Sequence, residues 1–304
     1  MHADGRAGRR CPRETDGLNV TRKNLEGQVA VVTGASRGIG KGVALELGAA
    51  GATVYVTGRT LDDSKSSVPG TIGATADEVK GLGGNGIPVR CDHKNDAEIQ
   101  ALFERVRDEQ GRIDILVNNV FTVPSESIFE GNFWDFPVTL WDEIIHVGCR
   151  AHYVASHAAA PIMVERRSGL IINISSFAGA TYIFNVAYGV GKAAVDRMAK
   201  DMAVELRPFD VACISLWPGV VRTEYLVQSH EAGNVPFAIE NAESPRFTGR
   251  AVVALASDPK RMERSGQVLI CYELGREYGF TDVDGRQPPD LGVQMGYQPA
   301  PAKE

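Results

Sequence analysis

Residues 29–40 read Val29-Ala30-Val31-Val32-Thr33-Gly34-Ala35-Ser36-Arg37-Gly38-Ile39-Gly40 and run into the amphipathic stretch Lys41–Ala50. A short apolar run, a glycine-rich turn and a helical pattern in that order predict strand, loop and helix. Glycines at such a turn permit a tight backbone. They also let a phosphate group approach the helix N-terminus, where unpaired N–H groups and the helix dipole favour anions. The spacing is GxxxGxG rather than GxGxxG. With a strand before it and a helix after it, the loop predicts dinucleotide binding through Gly34, Ser36, Arg37, Gly38, Ile39 and Gly40.

Outward from this loop the same alternation repeats. Strands are predicted at Val29–Thr33, Thr53–Thr57, Ile87–Arg90, Ile115–Asn118, Leu170–Ser175, Ala212–Leu216 and Val268–Ile270. Helical patterns lie at Lys41–Ala50, Ala97–Gln110, Leu140–Val164, Ala187–Arg207 and Pro245–Ala256, the last with Ser244 as N-cap and Pro245 at the first helical position. Alternating strands and helices predict an α/β fold, one doubly wound parallel sheet of about seven strands with helices on both faces. No internal repeat or change of composition divides the chain. The expected organisation is a disordered tail over 1–25, one domain over 26–286 and an extended, proline-containing tail over 287–304.

Composition excludes several classes. The 304 residues carry 32 Lys and Arg against 38 Asp and Glu, a net charge of −6, which argues against a general nucleic-acid binder. No apolar run is long enough to span a membrane. Cys11, Cys91, Cys149, Cys213 and Cys271 are odd in number and form no CxxC pair. That pattern fits unpaired thiols in the cytoplasm and gives no support for a metal site.

The second strand decides which nucleotide is expected. Dinucleotide folds place a carboxylate about 20 residues beyond the glycine loop for a ribose hydroxyl, or an arginine for a 2′-phosphate. Here the strand ends in Gly58-Arg59 with no carboxylate, and Arg37 lies in the loop. Two guanidiniums suit a phosphate dianion, so NADP(H) is preferred over NAD(H).

Further motifs follow in order. They are Cys91-Asp92 after the third strand, Asn118-Asn119 after the fourth, Ile174-Ser175-Ser176 after the fifth, Tyr188-Gly-Val-Gly-Lys192 in the next helix and Pro218-Gly219 after the sixth strand. With the glycine loop first, the set resembles the short-chain dehydrogenase/reductase family over roughly residues 27–284. The ends of the second strand, the stretch around Phe184–Lys192 and Val283–Arg286 point to one branch of it. The resemblance implies a Rossmann-like fold and NADP(H)-linked hydride transfer between a carbonyl and an alcohol. It also implies a small-molecule substrate and a homo-oligomer. Asp92 would bond the adenine, and Asn118 would hold the central strand and border the cofactor. Thr223 would contact the nicotinamide carboxamide or the pyrophosphate, with Pro218, Gly219 and Val221 also at the cofactor, which Tyr188 and Lys192 meet as well.

Tyr188 and Lys192 stand at i and i+4, on one face of a helix. Lowering a phenol from about 10 toward 7 takes about 4 kcal/mol. An ammonium ~4 Å away at an effective dielectric of ~20 supplies about that much. Tyr188 is therefore expected as general acid or base. The resemblance gives a serine the substrate oxygen. Family spacing to the tyrosine favours Ser175, whereas the local Ser176-Phe-Ala-Gly pattern favours Ser176. A one-residue deletion in the loop Ala180–Val186 reconciles them and selects Ser176.

Two departures from the family stand out. Asn119 is followed by Val120-Phe121 where the family has a small pair, and the usual helix asparagine is replaced by Gly148. The expected substrate walls hold Phe121, Phe129, Phe133, Trp134 and Phe136, then Tyr225, Leu226, Val235, Phe237 and Ile239, which suits an apolar substrate. His146, His152 and His157 are expected in core or interface packing. A non-catalytic NADP-binding protein and an isomerase or lyase on the same fold are the rival readings.

Overall fold

The computed structural model describes residues 24–122, 131–235 and 239–290, together with 292 and 297. Its seven strands are β1 Val29–Val32, β2 Thr53–Gly58, β3 Asn85–Arg90, β4 Ile115–Asn118, β5 Gly169–Ile174, β6 Val211–Trp217 and β7 Val268–Ile270. All pair in parallel, in the order β3-β2-β1-β4-β5-β6-β7. The helices between them are α1 Gly38–Ala49, α2 Ile72–Gly81, α3 Asp96–Gln110, α4 Val138–Ile145, α5 Ala151–Arg166, α6 Val186–Leu206, α7 Glu224–Glu231, α8 Pro245–Ser257 and α9 Cys271–Tyr278.

A sheet covered on both faces must be apolar on both, and successive side chains take opposite sides. Ala30, Val32, Ile115, Val117, Leu170, Ile172, Ala212 and Ile214 pack with α1 and α8. Val29, Val31, Leu116, Ile171, Val211 and Cys213 pack with α3, α5 and α6. From β1 the chain builds outward to β3 and then returns to place β4 on the other side of β1. Ligands in such sheets bind outside the strand C-termini at that reversal.

The helical pattern expected as one unit over 140–164 is broken. α4 and α5 are joined by a π-helical turn, His146–Arg150, which contains Gly148. The apolar residues continue in phase across it, so the pattern alone does not reveal the extra residue in the turn. Ser244 stands at the N-cap of α8, but its hydroxyl donates to Asp282 instead of accepting a helix N–H. The N-terminal tail through residue 23 and most of 287–304 lie outside the described residues. Within the latter stretch Tyr297 packs between Phe177 and Trp217, with ring centroids 5.6 and 5.3 Å away. No described helix is long and apolar enough to cross a membrane.

The turn after β6 is anchored by a buried carboxyl. Glu243 accepts from the Thr248 hydroxyl at 3.2 Å, and burial pushes it up from 4.5 to about 8, with the Gly219 backbone pulling the other way. The folded chain therefore holds a proton that the unfolded chain has released above 4.5, and this group's contribution to stability falls as pH rises toward 8. Glu243→Gln removes that loss. Its Tm should gain on the wild type between about pH 5 and about pH 8 in scanning calorimetry. Parallel Tm–pH curves would contradict the assignment.

Candidate active site

The crevice opens where β1 and β4 run side by side. The Thr33 hydroxyl accepts the N–H groups of Asn119 and Val120 at 2.9 and 3.1 Å. The Asn119 amide donates to the carbonyls of Thr33 and Gly34 at 2.9 and 3.0 Å. A Cβ at position 40 would lie 2.3 Å from the Gly34 oxygen and 2.4 Å from the Asn119 amide nitrogen, so the loop closes on itself only with glycine there.

Asn118 points the other way. Fully enclosed, it donates to Ser156 and Asn173 at 2.8 Å each and ties β4 to β5 and α5. Of the doublet it is thus Asn119, absent from the expected site residues, that stands beside the glycine loop. Strand alternation was the available signal.

At the head of α1 an anion is already in place. Gly38 donates its N–H to a carboxylate oxygen of Glu224 at 2.8 Å. Thr223 caps α7, accepting from the Leu226 N–H at 3.2 Å, and a Cβ at Gly38 would lie 3.3 Å from the Thr223 methyl. Pro218 is buried, and the Glu243 N–H donates to the Val220 carbonyl at 2.8 Å. Val221 bridges to Glu243, whose carbonyl takes the Arg222 N–H at 2.8 Å. These bonds carry the segment after β6 across to the glycine loop.

Arg37 is fixed by its neighbours. Its fork donates to Ser66 at 2.7 Å, Thr60 at 3.2 Å and the Gly70 carbonyl at 2.6 Å, while its buried Nε meets no partner among the described residues. Burial lowers its pKa, and the nearby Arg59 lowers it further, against Glu224 and Asp63. Arg59 itself is exposed at the end of β2. Of the remaining loop residues, Ser36 is buried and its carbonyl takes the Thr75 hydroxyl at 3.4 Å, whereas the Ile39 side chain turns into the core. Asp92 is half-buried and accepts from the Lys94 N–H at 3.0 Å. A glycine cradle, a helix N-terminus on a carboxylate and two neighbouring guanidiniums fit a ligand with several phosphates.

At the other end of the crevice stand the proton-bearing groups. Asn185 caps α6, accepting from the Tyr188 N–H at 2.9 Å, and so sets the helical phase of both Tyr188 and Lys192. The Ser176 hydroxyl accepts from the Ala178 N–H at 3.2 Å and lies close enough to Tyr188 to pull the phenol's pKa down. Ser175 faces inward, giving its own hydroxyl to the Lys192 carbonyl at 3.1 Å. The two serines take opposite sides of the β5 exit, and Ser176 is the one beside the phenol.

Lys192 is buried. Its Nζ donates to the Ile174 carbonyl at 3.0 Å and lies 5.7 Å from the Tyr188 ring centroid. This departs from the expected electrostatics, because burial pushes the phenol up and the neighbouring Ser176 side chain pulls it down. The ammonium bonds a backbone carbonyl and is itself pushed down by burial to about 8. Desolvation outweighs the charge–charge gain that exposed model distances predict.

The aromatic walls divide. Phe121 and Phe136 pack with Leu140, Ile144 and Ala187, but Phe133 and Trp134 are exposed and stack on each other at 5.0 Å. Phe129 and Phe237 lie outside the described residues. Phe184, at a φ of +66°, lays its ring 5.1 Å from that of Tyr188. His152 is buried in the core with Nε2 3.0 Å from the Val120 carbonyl, and burial pushes it down to about 3. His157 is exposed against Tyr153. No group of His, Cys, Asp and Glu that could hold a metal occurs among the described residues.

The chain is similar to known proteins. The family model described as short chain dehydrogenase matches residues 28–233. The chain is 46% identical over 285 residues to dehydrogenase/reductase SDR family member 1 of Mus musculus, covering 90% of this chain and 88% of that protein. It is 46% identical over 278 residues to the Homo sapiens protein of the same name, with 88% and 86% covered. A crystal structure of a metagenomic short-chain oxidoreductase in complex with NADP superposes with a TM-score of 0.65 at 32% identity, over 81% of this chain and 97% of that one.

The carboxylate on Gly38 competes with any phosphate for the same helix N-terminus. Removing its charge should favour the phosphate by about 1 kcal/mol. Glu224→Gln should therefore tighten NADH and NADPH alike by roughly fivefold in isothermal titration. Weaker binding of both would mean that Glu224 supports the ligand instead of competing with it.

Proposed function

Because the chain belongs to the short-chain dehydrogenase family, we propose that it is an NADP(H)-dependent oxidoreductase interconverting a carbonyl and an alcohol on a small, largely apolar substrate. The observation that carries this reading is the placing of Ser176 beside Tyr188 and of both beside buried Lys192, at the mouth of the crevice that holds the glycine loop. The nicotinamide supplies the hydride when bound. Gly34, Ser36, Arg37, Gly38, Ile39 and Gly40 would hold its dinucleotide by the loop and the head of α1. Arg59 and Arg37 would receive the 2′-phosphate, Asp92 the adenine, and Asn119, Pro218, Gly219, Val221 and Thr223 the nicotinamide end.

Within the chain, Ser176 orients the substrate oxygen and Tyr188 gives it a proton. Burial raises the phenol, so Tyr188 is protonated at neutral pH and is poised as an acid, the form that carbonyl reduction needs. Lys192 restrains Tyr188 and carries compensating charge. The enzyme would work in the cytoplasm, in keeping with Cys91, Cys149, Cys213 and Cys271 as free thiols, and as a homo-oligomer.

A panel of ketones and aldehydes scored by NADPH oxidation tests the reading. Tyr188→Phe should cut turnover by ~10²-fold or more with NADPH binding retained. Binding with no turnover on any carbonyl or alcohol would favour a non-catalytic role. Cofactor choice is checked separately. Arg59→Ala should weaken NADPH by roughly 1–3 kcal/mol and leave NADH unchanged in equilibrium titrations. Equal wild-type affinity for the two would contradict the 2′-phosphate assignment. In the reductive direction kcat should hold through neutral pH and decline as Lys192 loses its proton near 8. A rate still rising past that point would contradict the role given to Lys192.

A further inference from the structure

Gly148 and Phe121 meet in the structure. A Cβ built on Gly148 would lie 2.9 Å from Cδ2 of the Phe121 ring, closer than real Cβ atoms come, and 3.1 Å from Cε2. The ring is held there by Leu140, Ile144 and Ala187. It stands at 83° to the Tyr188 ring with centroids 5.7 Å apart. The two rings thus form a corner, and Lys192 Nζ lies in it, 5.4 Å from the Phe121 centroid and 5.7 Å from the Tyr188 centroid. Both distances fall within the ~6 Å reach of a cation–π contact.

We infer that Phe121 is a positioning residue of this site: its ring face carries the buried Lys192 ammonium and its ring braces Tyr188, in a space that glycine at position 148 leaves open.

The inference rests on the reading of Tyr188 and Lys192 given above. Among the other groups facing Lys192, the Asp196 carboxylate favours its charged form, and the rings add to that. Asp196, one turn further along α6, has an oxygen engaged by the Ser215 hydroxyl at 2.5 Å and the Trp217 indole at 2.9 Å. Cys149, in the π-helical turn, is held in its thiol form because burial pushes it up. His152, on α5, is pushed down to about 3 and is neutral. Among the described residues Nζ makes one hydrogen bond, to the Ile174 carbonyl at the end of β5. A buried ammonium needs compensation from every available side, and a desolvated cation–π contact is among the stronger ones.

The two departures from the family pattern at 121 and 148 are therefore one feature. The large residue after Asn119-Val120 takes the room that a side chain at 148 would need. Neither position could change alone without moving the Tyr188–Lys192 corner.

Fluorination tests this without changing ring size. In full-length Tyr188→Phe protein, Phe121 is replaced by 4-fluorophenylalanine and by 3,4,5-trifluorophenylalanine, and Lys192 Nζ is titrated by 15N NMR. Its resonance is identified by its loss in Lys192→Arg. Each fluorine weakens the ring face, so the midpoint should fall in steps, by about one pH unit in total. Phe121→Leu should fall as far, Phe121→Tyr should keep the original midpoint, and Gly148→Ala, which displaces the ring, should lower it. A midpoint unmoved by fluorination overturns the inference, as does a midpoint unmoved by Gly148→Ala. Because Tyr188 is absent, these outcomes are independent of turnover. Retained turnover in Tyr188→Phe would instead contradict the proposed function and leave the Lys192 titration to decide this point.

Discussion

One buried ammonium constrains the active end of this molecule. A lysine taken out of water must be compensated by hydrogen bonds, opposite charge or ring faces, or it gives up its proton. Lys192 is met from the β5 exit by the Ile174 carbonyl and from the side by the Phe121 and Tyr188 rings. Its own carbonyl takes the Ser175 hydroxyl, and Asp196 one turn later takes Ser215 and Trp217 from β6. α6 is thereby pinned to the ends of two strands. That pinning sets Tyr188 against Ser176. The site is precise because its parts are held by rigid elements, although the chemistry sits at their loop ends.

The opposite end of the crevice is organised by the need to place a negative charge. The glycine loop and the head of α1 present N–H groups, and the segment after β6 answers with Glu224. Thr223 lies against Gly38 and Glu243 ties Val220 to the start of α8, so that segment is built into the sheet on one side and touches the loop on the other. The head of α1 and the start of α7 are joined through a single carboxylate. Arg37 and Arg59 lie further along the same edge, and Arg37 is already ordered by Ser66, Thr60 and Gly70 before any phosphate arrives.

The sheet was legible because its strands are short β-branched runs with turn residues on either side. β4 and β7 begin and end where the pattern places them, and the other strands differ by one or two residues at an end. α2 was not legible because it buries Thr75 and Ala76 beside Ile72 and Val79, which blurs the apolar stripe. α9 starts directly after β7 with no turn residue to announce it. Tyr188, Lys192 and the glycine loop were legible from local spacing. Asn119, Glu224 and the contact between Phe121 and Gly148 were not, because each acts through a partner from 27 to 186 residues away that only the fold brings close. The phenol's electrostatics were misjudged from sequence for the same reason: the desolvation that outweighs the lysine's charge exists only once the corner is closed.

The account turns on Lys192 as the charge that organises the proton-donating end. Lys192→Met keeps much of the side chain's length and apolar bulk while removing the ammonium, which makes it the most direct probe. Steady-state carbonyl reduction by that variant, in folded protein saturated with NADPH, should fall by ~10²-fold or more. Turnover within a few fold of the wild type would show that the ammonium is dispensable and would contradict the account.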